Sequence, residues 1–245
     1  MSGPARRRVV GTSPGRSPGK SPGKVAKPAA GEGSKRRPAR GAQRRDAERS
    51  KRQILDAALV EFAERGLAGA RIDHIAARAG LSKPLIYSYF GDKDDLYAAA
   101  LREAYVQIRE GERDLDLDLK DPEEAIRTLV AFTLDHFRRK PWFISMLNTE
   151  NLLGGDTVRR ISDVGAIQSP LIERLRKVLE RGVERGLFRP GIDPVDLYVT
   201  IASLCYFPIS NAHTLRAVFG CPIDDAWLAR RERDAQEMVV RFLRP

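Results

Sequence analysis

Cysteine, histidine and tryptophan are scarce in this chain: two, three and two residues among 245. Cys205 and Cys221 both lie late in the chain and imply no disulfide framework, so a reducing cytoplasm is the expected compartment. His74, His136 and His213 are far apart and lack metal-ligand spacing, so no metal and no cofactor is expected. No run of eighteen apolar residues occurs, which argues against a membrane-spanning helix. The basic start has no hydrophobic stretch behind it and does not read as a secretory signal. A phosphate-binding glycine loop, a nucleophile elbow and an HExxH motif are missing too, so the chain is not expected to be an enzyme.

What is abundant is positive charge, unevenly placed. The net charge is +10, yet residues 1–45 alone hold thirteen Lys and Arg against Glu32, a balance of +12, and the remainder carries −2. Six prolines and few large apolar residues in the same stretch leave too little surface to bury, so a disordered basic tail is expected over 1–45. It contains the repeat Ser13-Pro14-Gly15-Arg16, Ser17-Pro18-Gly19-Lys20, Ser21-Pro22-Gly23-Lys24, and a basic cluster from Lys35 to Arg45. Two readings stand beside each other. The tail is either a charged extension without a specific role, or an arm that adds phosphate or minor-groove contacts.

The most informative stretch is Ala57 to Leu96. Ile54, Ala58 and Phe62 recur at helical spacing, and Gly66 follows where a left-handed residue would close the helix. Next, Ile72, Ile75, Ala76 and Ala79 share a face that ends at Gly80. Ser82 then opens a very short helix, KPLIYSYF, with Pro84 in its first turn, where the missing N–H costs little. Two short helices around a glycine-containing turn form a helix-turn-helix. Asp92, with Asp94 and Asp95, suits the positive end of the dipole of a fourth helix.

AARAGLSKPLIYSYFGDKDDL resembles the DNA-binding signature of the TetR family of bacterial transcriptional regulators. The likeness lies in the Ala–Gly turn, Ser82-Lys83, the Tyr87…Tyr89-Phe90 pair and the Lys93…Leu96 start of the next helix. It covers residues 46–97 clearly; beyond that only length and helical character agree. The resemblance implies that the third helix enters the major groove, with Lys83, Pro84 and Leu85 as base readers. Lys can donate to guanine acceptors, while Pro and Leu meet thymine methyls. It further implies phosphate contacts from Tyr87, Tyr89 and Lys93, with Arg71 and Ser82 as additional candidates. The long tail departs from the family pattern.

Downstream, the pattern predicts helices over Pro122–Lys140, the segment following Pro141, the SPLIERLRKVLERGVERG segment, Pro194–Ala217 with a kink at Pro208, and Asp224–Leu243. The GERDLDLDLKD stretch alternates like a strand but reads as a loop, because Asp is a poor strand former. The expected fold is all-α: a helix-turn-helix domain over 46–92 and a helical ligand-binding and dimerisation domain over 93–245. Trp142, Phe143, Met146, Asn148, Asn151, Tyr206 and Phe207 are the candidate lining of its pocket, with plain core as the alternative for the aromatics. The expected function is a regulator, a repressor released from a palindromic double-stranded operator by a small-molecule effector, acting as a homodimer. The alternative is an architectural DNA-binding protein that uses its tail.

Overall fold

Gly66 adopts φ 64°, ψ 176°, a backbone combination essentially restricted to glycine, and so ends the first straight run of helix. That helix, α1 (Arg40–Gly69), continues past it for only a short turn. The structure is a computed structural model that describes residues 40–245; the expected tail over 1–39 lies outside them. Residues 40–45, expected in the tail, are helical instead. Gln43, Arg44 and Arg45 are exposed, and Arg and Gln are good helix formers, so these positions of α1 need no core.

Ile54, Ala58 and Phe62 of α1 are buried, as their spacing requires. Helices α2 (Ile72–Ala79) and α3 (Lys83–Phe90) follow, joined through Gly80 in the left-handed conformation. Ser82 occupies the N-cap position of α3, but its hydroxyl makes no capping bond. Its carbonyl takes the Leu85 and Ile86 N–H groups, and Pro84 has no N–H to cap. Helix α4 (Lys93–Arg113) opens with the reciprocal Asp92–Asp95 capping box.

The connection after α4 is a loop. Arg181 donates to the carbonyls of Asp118, Leu117 and Lys120 at 2.9, 3.1 and 3.0 Å, tying the loop to the later helix that carries Arg181. Helices α5 (Pro122–Arg139), α6 (Pro141–Leu152), α7 (Asp156–Arg160) and α8 (Val164–Glu184) come next. Then follow α9 (Pro194–Ser210), α10 (Ala212–Phe219) and α11 (Asp225–Leu243). Among the described residues there is no strand, so the fold is all-α. No helix among them is long and apolar enough to cross a membrane.

The expected helix Pro194–Ala217 is two pieces. Pro208 cannot donate to the preceding turn, α9 stops at Ser210, and α10 restarts on the Asn211 carbonyl. Helix α5 is packed against α8, α9 and α11, while α1 lies against α2, α4 and α6. Thus α6 touches both the helix-turn-helix unit and the larger bundle. On α11 the buried side chains are Leu228, Ala235, Val239, Val240 and Leu243. Of the stripe Trp227, Arg231, Ala235, Met238 and Phe242 that helical spacing predicts for this helix, Ala235 is buried, whereas Met238 and Phe242 are 50% and 47% exposed.

Candidate nucleic-acid interface and interior cavity

The turn into α2 is anchored by a buried acid that sequence reasoning missed. Glu61, 1% exposed, accepts the Arg71 backbone N–H at 3.2 Å and faces His74 Nδ1 at 3.0 Å. Arg65 Nε lies 3.3 Å from it. A glutamate inside an apolar helical stripe with Arg four residues on was the available signal.

From there a chain of contacts links the predicted DNA-facing residues. The Arg71 side chain reaches Asp73 at 3.4 Å, and Asp73 also pairs with Lys83, the first residue of α3. The Lys83 ammonium, helped by Arg71, holds the Asp73 carboxyl below its usual range. Ser82, Lys83 and Pro84 are exposed, Leu85 is half-buried, and Ile86 behind them is buried in the motif's core. Tyr87 is 49% exposed; Tyr89 is half-buried with Lys51 Nζ 5.8 Å from its ring centre. Lys93 sits half-buried at the start of α4, donating to the carbonyls of Ala68 and Ala70 at 3.4 and 3.5 Å. Its ammonium therefore ties α4 to the end of α1, immediately before Arg71.

A cavity of about 230 Å³, partly open to solvent, lies between α4, α5, α6 and α9. Tyr105 and Arg109 enter from α4, Phe137 from α5, Phe143 and Leu147 from α6, and Tyr198, Ala202 and Tyr206 from α9. Phe137 and Phe143 are nearly parallel, 5.9 Å between centres, and Tyr206 meets Phe137 edge-on at 6.2 Å. His136 packs behind Phe143 at 5.4 Å; burial first, then the charges of Lys140 and Arg109, push it down to about 4, so it is neutral. A wider groove of about 530 Å³ between α5 and α11 is open to solvent and lined by Arg127, Asp135 and Glu232.

Of the residues expected at a pocket, Phe143 and Tyr206 line this cavity. Asn148 stands next to it and accepts the Tyr206 hydroxyl. The others lie off it. Met146 shares the face of Phe143 and Leu147 but is fully buried in the core and does not line the cavity. Asn151 is exposed and donates to the Leu147 carbonyl of its own helix. Phe207 is 56% exposed, one position past Tyr206 and so rotated outward, and Trp142 is half-buried beside Phe143. Tyr105, Arg109 and Tyr198 were not anticipated; they come from helices far apart in sequence, with no local pattern to mark them.

A helix-turn-helix carried on a helical bundle with an aromatic cavity defines a DNA-binding regulator of the ligand-sensing kind. Residues 54–100 match the family model for bacterial regulatory proteins of the tetR family, and residues 122–239 match the tetracyclin repressor-like C-terminal domain. The transcriptional repressor NicS of Pseudomonas putida is 40% identical over 179 residues, spanning 73% of this chain and 84% of NicS. The repressor SCO4008 of Streptomyces coelicolor is 29% identical over 176 residues, 72% and 86% of the two chains. The structure of Bacillus subtilis FadR with stearoyl-CoA superposes with a TM-score of 0.61 at 20% identity, over 78% of this chain and 98% of that one, a likeness of fold alone. The chain belongs to the TetR family of transcriptional regulators.

Proposed function

We propose that this regulator is a repressor that holds a palindromic operator as a homodimer and leaves it when a small molecule fills the cavity. The observation that carries this is the course of α4. One helix bears Lys93 at the DNA-facing end and Tyr105 and Arg109 at the cavity. Sixteen residues from Lys93 to Arg109 span about 24 Å at 1.5 Å per residue. A ligand that wedges α4 outward changes the angle at which the helix-turn-helix is presented. Helix α6, packed on α1 and lining the same cavity, offers a second route. The names of the relatives NicS and SCO4008 support repression as the direction of control.

Dimerisation is supported by apolar side chains left outside on the last three helices. Val195 and Val199 on α9, Val218 and Phe219 on α10, and Met238 and Phe242 on α11 are all 47% exposed or more. So large an apolar surface on a soluble chain calls for a partner. Two recognition helices about 34–36 Å apart then fit successive turns of the major groove. The basic tail adds affinity without adding base preference on this reading. The alternative of an architectural protein rests on that tail alone, whereas the family match covers the rest.

Selection of bound sites from random DNA, followed by titration of small molecules against the enriched site, tests the reading. Dyad-symmetric sites bound by two chains are expected. Sites without dyad symmetry, or a preference that disappears when residues 1–39 are removed, would overturn it.

A further inference from the structure

We propose that the first turns of α1, from Arg40 to Gln53, grip the DNA backbone beside the recognition helix, as a rigid second contact outside the helix-turn-helix. This rests on the reading that α3 faces the operator, and it names groups that attract phosphate where the motif does not.

The motif itself has little charge to offer. Residues 54–93 hold five basic and five acidic side chains. Arg65 faces Glu61 at 3.3 Å, Arg78 faces Glu64 at 3.2 Å, and Arg71 and Lys83 both face Asp73. Lys93 donates to the carbonyls of Ala68 and Ala70. Affinity for the DNA backbone comes from cations that neutralise phosphates and release their counterions. Base contacts specify a site, whereas backbone contacts hold the protein on it and orient it. A motif without net charge must draw that attraction from elsewhere on the chain.

Among the described residues, positions 40–53 supply it. They hold six basic side chains against Asp46 and Glu48. The stretch is helical over about 21 Å at 1.5 Å per residue, the length of about six base pairs. None of its described side chains is buried, and the first buried one on α1 is Ile54. Arg44, Arg45 and Arg49 are exposed and have no acidic partner among the described residues. Arg45 and Arg49 lie four positions apart, where like charges repel and weaken a helix; a polyanion relieves that repulsion. Contacts at the inner end fix the direction of the stretch. Lys51 Nζ lies 5.8 Å from the ring centre of Tyr89 near the end of α3, and Arg52 pairs with Glu103 of α4 at 2.5 Å. Arg44 stands seven positions before Lys51, two helical turns, and so continues the Lys51 face past Tyr89, while Asp46 falls on the opposite side. Glu48 lies 3.4 Å from Lys51, but at 66% exposure it holds the ammonium weakly. Because α1 runs on into the core of the motif, these arginines keep a fixed place relative to Lys83.

Full-length protein carrying Arg44→Gln, Arg45→Gln and Arg49→Gln together, titrated on the duplex selected from random DNA, tests this. The triple variant should bind about tenfold or more weakly at about 0.1 M salt, with a salt slope shallower by about 2 to 3, since each phosphate contact contributes about 0.9. Base preference should stay as it was, and Arg44→Lys, Arg45→Lys and Arg49→Lys together should keep the slope. Ethylation interference should show a discrete set of phosphates in each half-site that matter to the unaltered protein and not to the triple variant. Unchanged affinity and slope would overturn the proposal. So would an equal loss from Arg6→Gln, Arg7→Gln and Arg8→Gln with the same interference pattern, because any three charges would then serve. If circular dichroism shows the triple variant unfolded, the three single variants decide, each expected to reduce the slope by about 0.9. A dyad-symmetric site bound by two chains, with a triple variant that binds as before, removes this inference alone. Absence of a dyad-symmetric site removes the repressor reading and leaves the grip to be judged by the same slopes on random duplex.

Discussion

Asp73 in the first turn of α2 and Lys83 at the start of α3 form an ion pair across the helix-turn-helix turn. The side chain predicted to read a base is thus held by an acid of the supporting helix, with both partners about half exposed. An exposed pair adds little to stability and serves mainly to aim the ammonium. Lys83→Ala should cost about 1–3 kcal/mol of specific binding and relax preference at one position of each half-site. Asp73→Asn should leave the melting temperature nearly unchanged and raise affinity for all DNA, since a negative charge near phosphate is removed. Anisotropy titrations on operator and scrambled duplexes check both. An Asp73→Asn variant whose base preference is unchanged would contradict the aiming role, and one whose non-specific affinity is unchanged would contradict the charge argument.

Lys93 has two tasks that one substitution removes together. Its bonds to the Ala68 and Ala70 carbonyls are long and partly exposed, so Lys93→Ala should lower stability by about 0.5–1 kcal/mol. It should also weaken binding to every sequence alike, as loss of a phosphate contact does. Chemical denaturation and DNA titration of the same preparation read the two effects. A change in base preference would reverse the roles assigned to Lys93 and Lys83.

Met238→Asp combined with Phe242→Asp should produce folded monomers. Both side chains are about half exposed and contribute little to the core of one subunit. Charges on that face are costly only if a second copy covers it. Sedimentation velocity with a circular dichroism control decides; an intact dimer would place the interface away from α11.

Two buried groups should oppose each other as pH changes. Burial raises Glu112 to about 7, so between about pH 4.5 and 7 the folded chain keeps a proton the unfolded chain has lost, and stability falls as pH rises. Burial lowers His136 to about 4, so between about pH 4 and 6.5 the unfolded chain holds the extra proton, and stability rises with pH. The contributions nearly cancel from about pH 4.5 to 6.5 in the unaltered protein. Glu112→Gln should therefore expose a loss of stability on acidification, and His136→Phe a loss on alkalinisation. Urea unfolding at several pH values distinguishes these slopes; two variants with the same slope would refute the assignment.

Gly182 of α8 has no room for a side chain. A Cβ there would meet the Phe188 ring, itself 2% exposed, at 2.0 Å. Gly182→Ala should destabilise by about 1–3 kcal/mol through forced repacking, measurable by thermal unfolding. Gly182→Ala with Phe188→Leu should recover part of the loss.

How much was readable in advance follows the range of the interactions. The helices, the turn at Gly80, the capping Asp92 and the exposed Lys83 depend on neighbours within a few positions, so periodicity and turn chemistry determine them from the sequence by itself. The face of α11 that is buried was only partly readable: Ala235 of the expected stripe is buried, but Trp227, Met238 and Phe242 on it serve a core or a partner equally well. Only packing against α5 and α9 selected Leu228, Val239 and Val240 instead. The break after Pro208 was visible, but its position at Asn211 depended on how α9 meets its neighbours. The cavity was the least legible part. Arg109 belongs to α4 and Tyr198 to α9, eighty-nine positions apart, and their 2.7 Å contact exists only in the folded bundle. Local sequence carries a helix's own pattern. Which side chains from different helices share one enclosed space is decided by tertiary packing, because burial and pairing of charge depend on groups that the chain brings together only when it folds.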